Sequence, residues 1–276
     1  ILTTMTSDMQ TFKETSKILK GAVTVLEQRI SDVEQSTLSR SSQDESNVLK
    51  VFYKRSLDVY KDTIIYLSEQ IQKEATDFDN HTLPVTRKLY DIYIRFIHLQ
   101  EKCDSDTERA LTCIAYQLQS YSFMKNKKLY EELLILYKPI IEASNYNFPT
   151  FDKHDYIWYQ RTSGLAFKGT RDLFKKEVIL KYSDRSNGGF KGEKLVDIYG
   201  GISEISHGNP YYSSINDRFW VITSSLMVTS LILEIIDNFI LQKPKRKDYR
   251  MWKNDLLMLN NEILALWTKK EVEILR

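Results

Sequence analysis

Residues that interrupt secondary structure are scarce in this chain of 276 residues, which contains only five prolines and nine glycines. Chains built from many short β-strands need frequent turn residues, so this scarcity excludes a β-sandwich or a β-barrel. Hydrophobic residues make up 42% and charged residues 28% of the chain, proportions that are typical of a folded protein with its own core. The sequence therefore predicts an all-α, multi-helix bundle.

An excess of one charge sign is also missing. The 39 lysines and arginines nearly balance the 37 aspartates and glutamates. No global electrostatic field would therefore draw the protein to nucleic acid or to a charged membrane. A contact of that kind would have to come from a local patch.

Cysteines and long apolar runs are scarce as well. Cys103 and Cys113 form no CxxC pattern, which argues against a disulfide framework and a zinc site, and we expect buried, reduced thiols in a cytoplasmic protein. Residues 219–233 are uncharged, but this run is shorter than the ~20 residues of a membrane span, and Glu234 and Asp237 follow it. We expect a buried core helix there rather than the alternative, a membrane span, and no contact with a membrane.

The first segment of the chain carries a heptad-like apolar seam, in which Ser16 fills one position. Its apolar members are Met9, Phe12, Leu19, Val23, Leu26, Ile30 and Val33. This pattern is typical either of a coiled-coil homodimer or of a helix that packs on its own domain, and the second is more common for so short a seam. Residues 36–47 are polar and rich in serine, so we predict a linker there, an N-terminal amphipathic helix at 1–45 and a helical bundle domain at 46–276.

Helical periodicity continues along the rest of the chain. Further helices are predicted at 48–75, from Pro84 onward, and at 105–124, 128–144, 214–242 and 248–275. The first of these has an apolar stripe made of Phe52, Val59, Tyr60, Ile64, Leu67 and Ile71.

The most site-like feature is the segment YGGISEISHG. Tyr199, Ser203 and His207 are spaced i, i+4, i+8, so they project from one face of a helix, and Glu204 lies three residues before His207. Imidazole titrates near neutral pH and a hydroxyl group one turn away can orient it, so this stripe predicts acid/base chemistry. The structural alternative is that His207 stabilises the negative end of the helix dipole, with Gly208 as the C-cap.

A second polar pair consists of Arg87 and Asp91, which are i and i+4 on the helix that begins near Pro84. Exposed pairs of this kind usually belong to a solvated face. Apolar residues cover much of this helix, so the alternative is a partly enclosed pair.

Sharper motifs are absent. The segment around Ser203 lacks the second glycine of a nucleophile elbow, and Glu204-x-x-His207 has no second copy to complete a carboxylate di-metal site. The chain has neither a P-loop nor a GxGxxG motif. We therefore predict no metal and no cofactor.

Two stretches, PVTRKLYDIYIRFIHLQEKCDSDTERALTCIAYQ at 84–117 and KLVDIYGGISEISHGNP at 194–210, resemble a domain-of-unknown-function family of mainly prokaryotic helical proteins. Its members carry an Arg-x3-Glu helix and a Tyr-x3-Ser-x3-His helix, and Asp91 stands here where the family more often has glutamate. The resemblance implies one polar cluster inside the bundle, made of Arg87, Asp91, Tyr199, Ser203 and His207.

That family is distantly similar to the HEPN superfamily, whose active members are often dimeric ribonucleases of toxin and phage-defence systems. The resemblance implies a HEPN-like core with a long N-terminal amphipathic helix. The Arg-x4-to-6-His signature of that superfamily is absent from this chain, so ribonuclease activity is implied by analogy of fold.

The leading hypothesis is a cytoplasmic helical effector that acts on RNA or another nucleic acid in a bacterial stress or phage-defence system. His207 would be the acid/base, Ser203 would orient it, and Arg87 would hold a phosphate. The alternative is a non-catalytic interaction protein that dimerises through the helix between Met9 and Val33, with His207 and Arg87 as buried structural groups. The full predicted site consists of His207, Ser203, Arg87, Asp91, Tyr199 and Glu204.

Overall fold

The computed structural model describes residues 2–40, 42–73, 82–123, 126–144, 199–202, 217–242 and 254. Over these residues the chain is an all-α multi-helix bundle, which confirms the predicted fold class. Its helices are α1 (Leu2–Gln35), α2 (Gln43–Gln72), α3 (Thr82–Lys102), α4 (Asp106–Phe123), α5 (Lys127–Ala143) and α6 (Asp217–Ile235), and α6 continues into a π-helix (Ile236–Ile240). Residues 199–202 are also helical.

The second helix begins earlier than its periodicity predicts. Ser42 is the N-cap of α2, and its side-chain oxygen accepts a hydrogen bond from the backbone N–H of Glu45 at 3.1 Å. The Glu45 carboxylate in turn accepts hydrogen bonds from Ser39 and Thr107, which ties the preceding loop to α4. The boundary predicted at 45/46 therefore falls in the first turn of α2, and the division into two domains stays a prediction.

The N-terminal seam packs inside its own chain over the part that the structure describes. Leu19, Leu26, Ile30 and Val33 are buried in the main core together with residues of α2. Dimerisation through this helix stays a prediction, although these four side chains already have their partners within one chain.

The central helix of the bundle is α2, which packs against α1, α3, α4 and α6. Its neighbours α3 and α6 also pack on each other, and together with α1 they enclose one large core. A smaller core lies between α4 and α5 and includes Leu111, Ile114 and Tyr130. The apolar residues that cover much of α3 are buried in the main core, among them Leu89, Ile92, Tyr93, Phe96 and Ile97.

The apolar helix α6 lies within this core. At 221–233 every side chain is buried except that of Met227, which is half-buried. Within the described ranges, one stretch, Trp220–Ile240, is long and apolar enough to cross a membrane, and 83% of its most apolar window is buried inside the chain. Two of its hydroxyl groups contact tyrosine hydroxyls in the core: that of Thr229 is 2.9 Å from Tyr60, and that of Ser224 is 2.7 Å from Tyr90.

Candidate functional site

The helix α3 presents the predicted pair Arg87 and Asp91 at the edge of the bundle. Their side chains are 28% and 39% exposed, and the Arg87 Nε atom is 3.8 Å from the Asp91 Oδ2 atom. Partial burial raises the pKa of Asp91, and the guanidinium groups of Arg87 and Arg95 offset part of this rise. The pair is therefore partly enclosed. The distance between these two atoms is too long for a hydrogen bond.

Tyr199 packs against the same helix. Its ring centroid is 5.4 Å from that of Tyr90, with the ring planes at 49°, and only 3% of its surface is exposed. Tyr90 is the residue before Asp91, and its hydroxyl is 2.7 Å from the hydroxyl of Ser224 on α6. The start of the YGGISEISHG segment thus lies beside the buried face of α3.

The two glycines that follow Tyr199 have different surroundings. A Cβ atom on Gly201 would come within 2.6 Å of the Trp220 ring, whereas a Cβ atom on Gly200 would meet no atom within 4 Å. The absence of a side chain at Gly201 therefore allows the indole of α6 to approach the backbone. Gly200 leaves open space beside the helix.

The structure describes three of the six residues of the predicted site. Arg87 and Asp91 lie on α3, and Tyr199 contacts Tyr90 of the same helix. Ser203, Glu204 and His207 lie outside the described residues, so their approach to Arg87 and Asp91 stays a prediction.

Sequence reasoning missed a buried ion pair between Arg29 of α1 and Asp237 of the π-helix. The Arg29 Nε atom donates to Asp237 Oδ1 at 2.6 Å, and Nη2 donates to Oδ2 at 3.3 Å. Both side chains are at most 3% exposed, and Asp32 lies near the same guanidinium, with its Oδ2 atom 3.8 Å from Nη1. The charge of Asp237 after an apolar run was the one signal in the sequence, but nothing local identified its partner.

Sequence reasoning also missed a groove of about 230 Å³ that α2, α3 and α4 line together. Aliphatic side chains form much of its wall, and Val51 and Val59 of α2 remain 45% and 49% exposed there. Arg55 and Arg95 also line it, and none of the described lining residues carries a carboxylate. The groove is therefore apolar with a positive rim. We call it the α2–α4 groove.

Aromatic packing fixes one side of this groove. The Tyr116 ring stacks on Phe52 with centroids 5.8 Å apart, and the Arg95 guanidinium lies 5.3 Å from the Tyr116 centroid. The hydroxyl of Tyr116 is 2.6 Å from Nδ1 of His98. Burial raises the pKa of Tyr116 well above its ordinary range. Tyr116 therefore stays neutral and supports Arg95.

The two thiols are buried and free. Burial raises the pKa of Cys103 to about 11 and that of Cys113 as well, while the Thr112 hydroxyl, 3.4 Å from Cys103 Sγ, lowers the Cys103 value slightly. A thiol with a raised pKa is a poor nucleophile. Over the described residues no three His, Cys, Asp or Glu side chains gather as metal ligands would.

Comparisons of this chain with protein-family models, with curated proteins and with solved structures found no match. The resemblance to the domain-of-unknown-function family and to the HEPN superfamily therefore stays a prediction.

Proposed function

We propose that this chain is a helical effector that acts on nucleic acid, at a site between α3 and the segment that begins at Tyr199. The contact between Tyr199 and Tyr90 is the observation that supports this most directly. It brings two stretches that are far apart in the sequence to one region of the bundle. Both stretches carry residues of the predicted site.

Arg87 holds a phosphate of the substrate in this proposal. A guanidinium group has five N–H donors in a planar fork that matches phosphate oxygens, and the Arg87 side chain is partly exposed. The Asp91 Oδ2 atom lies 3.8 Å from the Arg87 Nε atom. Asp91 orients the guanidinium before the substrate binds.

His207 is the acid/base of the proposed reaction, which is cleavage of RNA. It takes the proton from a ribose 2′-hydroxyl, the 2′-oxygen bonds to phosphorus, the bond from phosphorus to O5′ breaks, and the proton is returned to O5′. Ser203 orients the imidazole and Glu204 completes the polar face. Because Tyr199 is buried against Tyr90, its part is to position the helix. The proposal includes a HEPN-like core, a cytoplasmic location and a role in bacterial stress or phage defence.

The test of this function is the variant His207→Ala, with His154→Ala as a matched control. Total RNA integrity is measured in cells that express each full-length chain, and the melting temperature is measured on each purified chain. We expect His207→Ala to abolish RNA loss without lowering the melting temperature, and His154→Ala to behave like the wild type. If His207→Ala only lowers the melting temperature, His207 is a structural residue and the proposal fails.

The second candidate function is a non-catalytic interaction protein with a structural polar cluster. The observation that favours it is the α2–α4 groove, in which Val51 and Val59 are exposed to solvent. Exposed aliphatic side chains beside a concave surface are typical of an interaction site. This function predicts that His207→Ala changes stability alone and that substitutions at Val51 or Val59 abolish partner binding.

A further inference from the structure

The arginines of the α2–α4 groove differ from three other arginines of the bundle. Arg29, Arg87 and Arg109 each have an aspartate within 4.0 Å. Within the described part of the chain, neither Arg55 nor Arg95 has a carboxylate at that distance. Two guanidinium groups on the rim of one groove, neither of them paired with a carboxylate of the described residues, provide a recognition surface for an anion.

Arg95 is also held in place before any ligand arrives. Its guanidinium lies over the Tyr116 ring, which in turn stacks on Phe52 and contacts His98 through its hydroxyl. A side chain that is already ordered loses less conformational entropy when it binds. This support fits an arginine that recognises a ligand.

The exposed face of α3 connects the groove to the proposed catalytic region. Arg87, Asp91 and Arg95 are spaced i, i+4, i+8 on this helix, so Arg87 and Arg95 lie about 12 Å apart along one face. Asp91 lies between them and lowers the net positive charge of this face of α3. A polyanion that lies along α3 would meet a positive group at each end.

We propose that the α2–α4 groove binds single-stranded RNA, with one unstacked base against Val51, Val59 and Ile92 and the flanking phosphates on Arg55 and Arg95. This inference rests on the proposed function, for which it supplies the substrate path. Single-stranded RNA presents splayed bases together with phosphates, and the groove offers apolar walls together with two guanidinium groups. An acidic peptide would also pair with the two arginines, and the test distinguishes this competing ligand from RNA.

The experiment measures the affinity of the full-length chain for a fluorescein-labelled 2′-O-methyl RNA strand by anisotropy, over a series of salt concentrations. This strand has no free 2′-hydroxyl, so binding is measured without cleavage. We expect Arg55→Ala and Arg95→Ala each to weaken binding about tenfold, because each removes charge-assisted hydrogen bonds. Each should also reduce the slope of log affinity against log salt by about 0.7, the value for one phosphate contact on a single strand.

The matched control is Lys20→Ala, which removes the same charge from an exposed position on α1 and should bind as the wild type does. A further variant, Val59→Asp, brings a carboxylate to the base site and should weaken binding without removing an arginine. The inference is overturned if both arginine variants bind like Lys20→Ala. It is also overturned if poly-L-glutamate of equal charge displaces the RNA as effectively as unlabelled RNA does.

The two proposals can fail separately. If His207→Ala still degrades RNA as the wild type does, the catalytic proposal fails, while the binding data on Arg55 and Arg95 still decide the groove. If the groove variants bind RNA normally and His207→Ala is inactive, the catalytic proposal stands and the substrate path is elsewhere.

Discussion

Arg29 and Asp237 form a two-pronged ion pair in the core, between α1 and the π-helix, across 208 positions of sequence. Such a pair is costly to bury and needs well-formed hydrogen bonds to compensate. It fixes the position of the N-terminal helix relative to the end of α6. The long N-terminal helix is thus attached to the bundle by a specific contact as well as by its apolar seam.

Removal of one partner of this pair should be strongly destabilising. We expect Asp237→Ala to lower the free energy of unfolding by about 3–5 kcal/mol, because it leaves the Arg29 charge buried without its carboxylate. The measurement is urea denaturation followed by circular dichroism. Lys54→Ala is the control, since it breaks a surface pair with Glu34 in which the two side chains are 42% and 48% exposed, and it should have little effect. If both variants lose the same free energy of unfolding, the assignment of Arg29 and Asp237 as a buried structural ion pair is contradicted.

The two adjacent glycines should respond in opposite ways to alanine. Gly201→Ala forces a Cβ atom against the Trp220 ring and should destabilise the fold by about 1–3 kcal/mol. Gly200→Ala meets open space in a helical position and should be neutral or stabilising by up to about 1 kcal/mol. Thermal denaturation of the two variants provides the comparison. Equal effects would mean that Trp220 does not lie against Gly201.

The carboxyl group of Asp91 should titrate above the ordinary aspartate value of 3.8, because burial disfavours its charge. Carboxyl NMR titration should show this, and Arg87→Ala should raise the pKa further by removing a positive neighbour. At pH values between the pKa of Asp91 in the unfolded chain and its pKa in the folded chain, the folded chain binds more protons. The contribution of Asp91 to stability therefore falls as the pH rises through that range. Asp91→Asn should therefore flatten the acid side of the stability profile. A pKa at or below 3.8 would contradict the partial burial.

The two thiols should be unreactive in the folded chain. Burial raises the pKa of Cys103 to about 11 and also raises that of Cys113, so little thiolate is present at pH 8 and access is blocked. Labelling with Ellman's reagent should be slow for both cysteines and should accelerate in urea in parallel with unfolding. Rapid labelling of either cysteine in native buffer would show that its helix is not packed as described.

Periodicity predicted the fold class and most of the core because burial of a helix face needs only the spacing of apolar residues. The seam of α1 and the stripe of α2 are examples, since Leu26 and Ile64 are both fully buried. Val59 is the exception. It belongs to the predicted stripe of α2, and its burial is predicted wrongly, because it lies at the edge of the stripe where the α2–α4 groove leaves it 49% exposed.

Contacts between residues far apart in the sequence could not be predicted from periodicity. Arg29 stands between apolar neighbours on α1, and only the fold brings it to Asp237. The π-helix adds to the difficulty, because its i to i+5 hydrogen bonds, such as that from the Leu241 N–H to the Ile236 carbonyl, change the helical register at the end of α6. Tyr199 contacts Tyr90 in the core, whereas the polar cluster that the family resemblance implied stays a prediction.

The proposed catalytic site consists of α3 and the segment after Tyr199, and a double-mutant cycle in RNA cleavage tests this arrangement most directly. The rate constants of the wild type, Arg87→Ala, His207→Ala and the double variant are measured on purified full-length chains at saturating RNA. If both residues act in one site, the double variant should be no slower than the slower single variant, since residues that act as a unit are not additive. Full multiplication of the two losses, or no loss in either single variant, would contradict the claim.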